Sequence, residues 1–387
     1  RFAAPACWNQ RAPGRAHRRV PTPSPPPPAA TPPAPAGASV GGVATDTSPQ
    51  GTILVGTSSW ADPGFVAEWY PPDLPARDRL RWYAERFAAV EVNSTFYALP
   101  SRAVVRRWAE ETPPGFVFDV KAHRVLSRHA APSASLPRDL RGIAKTNARG
   151  RVLLTPELEA RLAERLADVV WPLAEQGKLG AILVQLTPAF DPDRFALDEL
   201  DRLLYALAPH HVAIELRNRK WVGEERLDDT LAWFRERGAT FVCVDAPPGD
   251  HVTIMPPLDA VTCADLAYMR LHGRNTDGYL RGRTVAERFG WRYSDDELAE
   301  IAARARRLAR EARAVHVMFN NNRGDDAPTA AARLRALLGQ IESAPPAAGA
   351  STSGATPTAA RPVSRLPSDE PPRLWQERVD DPTAGAR

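Results

Sequence analysis

The chain has 387 residues, 25% of them charged and 43% hydrophobic, with a formal net charge of +4, the balance of a soluble globular protein. Three cysteines without metal-ligand spacing (Cys7, Cys243, Cys263) argue against a disulfide scaffold and suit a reducing compartment. No stretch approaches the roughly 20 consecutive apolar residues that a bilayer span requires.

Proline is the compositional anomaly. Of 39 prolines, 12 lie within residues 1–50, where large apolar side chains are almost missing. Such a segment cannot bury enough surface to offset its ordering entropy, and residues 343–387, rich in Ala, Pro, Ser and Thr, are similar. Both are expected to be disordered tails around one domain at 51–342. The first tail carries five Arg against Asp46, whereas the second is balanced, so the body is close to neutral. The basic excess is therefore no argument that the whole domain binds nucleic acid. The basic N-terminus has no apolar run of the signal-peptide kind, and a cytoplasmic location is expected.

From residue 52 onward, short β-branched runs alternate with helical periodicity. The runs are 52–58, 89–94, 116–122, 181–186, 212–216, 240–245, 267–273 and 315–320. Helical spacing covers 78–88, 101–111, 156–176, 197–207, 226–237, 294–312 and 328–342. Ser101 and Thr155 with Pro156 read as helix starts, and Ser294 with Glu297 as a capping box. The connection 246–266 is Pro-rich and shows no helix. Eight strands alternating with helices predict a TIM (β/α)8 barrel. The rival, an open doubly wound sheet, lacks its G-x-G-x-x-G signature after the first strand.

In such barrels the reactive groups collect where strands end. Period two places Glu91 with Asn93 on one face, Lys121 with His123, Glu215 with Arg217, and His272 with Arg274. Gln185, Asp245, Arg270, Asn320 and Asn322 stand at other strand ends. One such residue is more often solvated or salt-bridged than catalytic; seven strand ends together would be costly to bury for structure alone. Residues 121–151 carry eight Lys or Arg against Asp139, and 274–292 adds five Arg, so this end favours an anionic ligand.

The segments "GTSSW" (56–60), "VEVNSTFY" (90–97), "FVFDVKAHR" (116–124), "LVQLTPAF" (183–190), "IELRNRKW" (214–221), "YMRLHGR" (268–274) and "MFNNNRGDDAP" (318–328) resemble, in order, the YecE-like family called domain of unknown function 72. The resemblance covers about residues 52–340 and implies a TIM barrel without supplying an activity. Thr187, Asn218, Lys220 and Ala330 depart from the family's usual Pro, His, Ser and Asn.

Two functional expectations follow. In the first, a hydrolase-like enzyme acts on a phosphorylated or polyanionic substrate. Glu91 or Glu215 would be the general base and His272 the acid or orienting group. Lys121, Arg217 and Arg274 would neutralise the anion; Asn93, Gln185, Asn320 and Asn321 would fix its oxygens, and Trp221 would line the site. In the second, the barrel is a non-catalytic binder of nucleic acid or nucleotide. No cofactor is expected. A divalent metal would suit barrel chemistry but finds no support, since paired-His spacing is missing and cations crowd the carboxylates. No membrane partner is expected, and nothing sets an oligomeric state.

Overall fold

The computed structural model describes residues 51–341. The tails expected to be disordered, 1–50 and 343–387, lie outside the described residues.

Eight strands form one closed parallel barrel in chain order: β1 (Thr52–Thr57), β2 (Ala89–Val92), β3 (Val117–Lys121), β4 (Leu179–Gln185), β5 (Val212–Glu215), β6 (Thr240–Asp245), β7 (Leu266–Leu271) and β8 (Ala314–Phe319). Closure is made by β8 on β1, from Thr52 opposite Ala314 to Thr57 opposite Phe319. Each strand matches a β-branched run of the sequence, because one face of every strand must pack on the helices. That outer face carries Val55, Val90, Val92, Phe118, Val120, Ile182, Val184, Ile214, Met269, Val315 and Val317, all buried. At about 25 cal/mol per Å² of apolar surface, this belt dominates the stabilising side of folding.

The helices are α1 (Pro63–Glu68), α2 (Arg79–Ala84), α3 (Arg102–Glu111), α4 (Pro156–Glu175), α5 (Asp201–Leu207), α6 (Leu227–Arg237), α7 (Thr276–Arg281), α8 (Val285–Phe289), α9 (Asp295–Leu308) and α10 (Asp326–Leu337). Ser101 and Thr155 cap α3 and α4 through their side chains. The Ser294–Glu297 capping box is closed in both directions: Glu297 Oε2 accepts from Ser294 N at 2.8 Å, and Ser294 Oγ accepts from Glu297 N at 3.2 Å. Some helices are shorter than their periodicity. The pattern over 328–342 gives a helix that stops before Gly339, whose φ of +73° a residue with a Cβ resists. The pattern over 197–207 divides into a 3-10 turn, Leu197–Leu200, and α5.

The helix-free connection after β6 is tied down by Thr262. Its Oγ1 accepts from Phe241 N at 2.9 Å and donates to Ala239 O at 2.7 Å. Two loops are more structured than their composition predicts. The basic segment after β3 holds a small antiparallel pair, Lys145–Thr146 with Val152–Leu153, and the loop after β7 holds α7 and α8.

Candidate active site in the barrel bore

The bore is polar because the inward period-two positions carry charge. Glu91 on β2 is hydrogen-bonded to Arg270 on β7, and these strands are not neighbours, so the pair crosses the barrel. At the lower level, His316 Nδ1 on β8 meets both carboxylate oxygens of Asp119 on β3, at 3.0 and 2.9 Å. Gly180 makes room for this pair: a Cβ there would lie 2.5 Å from Asp119 Oδ1 and 2.7 Å from His316 Cε1.

Arg270 is the hub of the middle level and has no solvent exposure. Its Nε and Nη2 donate to Glu91 Oε2 and Oε1 at 2.8 and 2.6 Å, a bidentate fork. Its Nη1 donates to Glu215 Oε2 and, at 3.2 Å, to Gln185 Oε1. The Tyr268 hydroxyl adds a bond to Glu91 Oε2 at 2.9 Å. Burial alone would raise the Glu91 pKa, but the Arg270 charge and hydrogen bonds outweigh it and hold the carboxylate below its usual range. Burial opposes ionisation of Glu215 as well, and Arg270 with the His272 contact holds it well below that range.

Above this level, His272 Nε2 meets Glu215 Oε1 at 3.1 Å, and Asn320 Nδ2 donates to His272 Nδ1 at 2.9 Å. That pattern fixes the neutral ring with its proton on Nε2. Burial pushes the His272 pKa down to about 4, only partly offset by Glu215. Asn93 Nδ2 donates to Ser58 O at 2.9 Å and reaches Asn320 Oδ1 at 3.5 Å. Glu91, Arg270, Glu215, Gln185, His272, Asn320 and Asn93 thus form one hydrogen-bonded network across five strands. Arg217 joins through Glu215 Oε1 at 3.1 Å, and its Nη2 donates at 2.6 Å to the Tyr279 hydroxyl, which donates to Thr253 O at 2.8 Å.

Lys121 occupies the end of β3 and is treated differently. Among the described residues its ammonium has no hydrogen-bond or ion-pair partner; it lies 4.5 Å from the centroid of the Phe96 ring. The side chain is half-buried. Burial, then the positive charge of Arg270, bring its pKa down to about 7, despite Glu91 and Glu215 nearby. Burial, with Lys121 beside it, also keeps His129 neutral, at about 3.

Three residues expected in the site are engaged by other groups. Arg274 is bidentate to Asp245, with Nη2 at 2.7 Å from Oδ1 and Nε 3.2 Å from both oxygens, and reaches Glu300 at 3.0 Å. Asp245 also binds Tyr293 and Arg304, so Arg274 belongs to an ion cluster between β6 and α9. Trp221 donates to Phe190 O at 2.8 Å and stacks on the Phe190 ring, forming loop wall. Asn321 donates to Trp291 O at 2.8 Å. Conversely, Arg270, Tyr268, His129 and Arg288 stand in or beside the bore without an individual role expected from the sequence. The signal for the first two was present: Tyr268, Arg270 and His272 alternate along one strand face.

Several buried acceptors at the ends of β1, β2 and β8 have no partner among the described residues: Ser58 Oγ, Asn93 Oδ1, Asn321 Oδ1 and Asn322 Oδ1. No group of three or more His, Cys, Asp or Glu is placed to hold a metal ion among the described residues. No helix there is long and apolar enough to cross a membrane.

Eight parallel strands closed on themselves, ringed by helices and carrying polar groups at their C-terminal ends, define a TIM-like α/β barrel. The family model described as "Protein of unknown function DUF72" matches residues 54–353, and the chain belongs to that family. It is 27% identical over 290 residues to UPF0759 protein YunF of Bacillus subtilis (strain 168), covering 74% of this chain and 94% of YunF. It is 37% identical over 79 residues to UPF0759 protein YecE of Escherichia coli (strain K12), covering 20% of this chain and 26% of YecE. Among solved structures, a DUF72 family protein from Thermotoga maritima is 26% identical with a TM-score of 0.59, over 74% of this chain and 99% of that one. One from Enterococcus faecalis V583 is 24% identical with a TM-score of 0.58, over 75% and 98%, a likeness of fold.

Proposed function

We propose that the barrel binds a small phosphorylated or polyanionic substrate at the C-terminal end of its bore and converts it there, with hydrolysis the simplest reaction class. One observation carries this reading: the excess of cations. Glu91 and Glu215 are matched by Arg270 and Arg217, which leaves Lys121 and Arg288 without an ion-pair partner of their own among the described residues. Arg288 lies near Arg217 and Tyr279, and burial followed by the neighbouring Arg217 charge lowers its pKa. Unmatched cations in a partly dry site favour an anion.

The carboxylates are poor bases in this arrangement, because each is held ionised by a buried guanidinium and has its oxygens bonded. Lys121 takes over that role, as the group that exchanges a proton near neutrality. Asn93 and Ser58, with buried oxygens awaiting donors, suit substrate hydroxyls or an attacking water.

The test is calorimetric titration with inorganic phosphate and pyrophosphate, run beside a turnover screen of phosphate esters. Lys121→Arg should retain anion affinity and lose turnover; Arg288→Gln should weaken affinity. Absence of anion binding, or turnover untouched by Lys121→Arg, overturns the reading.

A second reading, nucleic-acid binding without turnover, draws on the exposed cations Arg138, Lys145 and Arg149 in the segment after β3. It requires an oligonucleotide affinity that falls steeply with salt and depends on those three residues.

A further inference from the structure

We propose that Lys121 is a carbonyl-reactive nucleophile, whose amine forms an imine with an aldehyde or ketone carrying a phosphate or carboxylate held near Arg217 and Arg288. This rests on the anion-site reading and adds the chemistry of the carbon centre.

The first support is residue choice. Only four of the chain's fifty Lys and Arg residues are lysine: Lys121, Lys145, Lys178 and Lys220. Three have other surroundings. Lys178 Nζ donates to Ala109 O, Thr112 O and Thr112 Oγ1 at 2.6, 2.7 and 3.1 Å, closing the end of α3. Lys220 pairs with Asp191 and Asp193 on the surface, and Lys145 is exposed on the small hairpin. A chain that otherwise supplies positive charge as arginine keeps lysine at the bore. Charge alone would be met by a guanidinium, which cannot shed its proton and attack carbon; an amine can.

The second support is geometry. Among the described residues Lys121 Nζ has no acceptor to hold it, and it faces the Phe96 ring; burial, with the guanidiniums of Arg270 and then Arg217, favours the neutral amine with its free lone pair over the opposing charges of Glu91 and Glu215. On the adjacent strand, Asn93 follows Val92, which is in register with Val120, so Asn93 and Lys121 are lateral neighbours at the strand ends. Asn93 Oδ1 is buried without a partner among the described residues and can accept from the hydroxyl created when an amine adds to a carbonyl.

The step balances without a redox partner. The nitrogen lone pair forms a C–N bond while the carbonyl π bond breaks, and the nitrogen's proton passes to that oxygen to give a carbinolamine. Loss of the hydroxyl with the remaining nitrogen proton releases one water and leaves the C=N bond. The imine then draws electrons from the neighbouring carbon, opening proton abstraction or C–C cleavage beside it.

The probes are pyridoxal 5′-phosphate and dihydroxyacetone phosphate, each followed by borohydride reduction and peptide mass spectrometry on the full chain. The expected result is a reduced adduct on Lys121 in preference to Lys145, Lys178 and Lys220. Pyridoxal 5′-phosphate should react at least roughly tenfold faster than pyridoxal, the gain of one charge-assisted contact. Inorganic phosphate and Arg288→Gln should each reduce that advantage. Lys121→Arg, shown to be folded by a cooperative melting curve, should abolish the adduct. If neither probe labels Lys121 while phosphate still binds, the nucleophile proposal is overturned and the anion site stands. If phosphate neither binds nor competes, both fall.

Discussion

Replacing Lys121 by Met should make the protein more stable, by an amount that depends on pH. In the folded state the ammonium titrates at about 7, against an ordinary value of 10.5. Below 7 it is charged in both folded and unfolded states, and the whole penalty of holding it in the bore is present. Between 7 and 10.5 the unfolded chain binds the proton and the folded one does not, so wild-type stability rises with pH. At ~1.4 kcal/mol per pH unit the full difference is on the order of 4–5 kcal/mol. The side chain is half-buried, so screening reduces this to about 2–4 kcal/mol. Urea unfolding of wild type and Lys121→Met at pH 6.0 and 9.5 should therefore give a large gap at the lower pH and a gap of about 1 kcal/mol at the higher. A pH-independent gap, or a less stable variant, would refute the assignment of Lys121 as a destabilised cation kept for its chemistry.

Other outcomes follow from the same structure. Arg270→Leu leaves Glu91 and Glu215 buried without their main counter-charge and should cost about 3–5 kcal/mol or more at pH 7.5 in urea unfolding. The loss should shrink toward pH 5, because in the variant the acids can fold protonated, whereas in the wild type their depressed pKa stabilises the fold above about 4.5 and is lost as pH falls through the folded values. His129 and His272, lowered to about 3 and about 4, are neutral in the fold. Unfolded histidines take up protons below about 6.5, so wild-type stability should fall between there and pH 4, and His129→Gln should flatten that limb of the urea-midpoint profile. Asp245→Asn removes the shared negative charge and one acceptor oxygen from Arg274, Arg304 and Tyr293 and should lower stability by about 2–4 kcal/mol in the same assay, without changing phosphate affinity.

The barrel was legible because its outer faces are written in β-branched residues: Val90 and Val92, or Val315 and Val317, could not be surface positions. The inward direction of Glu91, Lys121, Glu215 and His272 was legible for the same reason, since period two leaves them one side. Their partners were not. Which cation meets Glu91 depends on the stagger with which β7 closes opposite β2, and nothing local to either segment encodes that. Arg270 and Arg274 look equivalent in "RLHGR", yet Arg270 lies within β7 and faces the bore, whereas Arg274 follows Gly273, at φ +82°, and joins Asp245 outside it. Loop residues such as Trp221 read as ligand-facing because they follow a polar strand end; its indole instead meets a carbonyl of the preceding loop.

The position of Arg270 in the chain has a consequence for how the fold can be divided. Two acids, contributed by β2 and β5, share one guanidinium that arrives with β7. A polypeptide cut between β5 and β7 would have to close around Glu91 without its guanidinium, and Glu215 with Arg217 alone, or leave its centre open to water. Many (β/α)8 architectures invite a reading as two joined halves. Here the electrostatics of the bore make the barrel indivisible, with its seventh strand acting as the keystone of the arch.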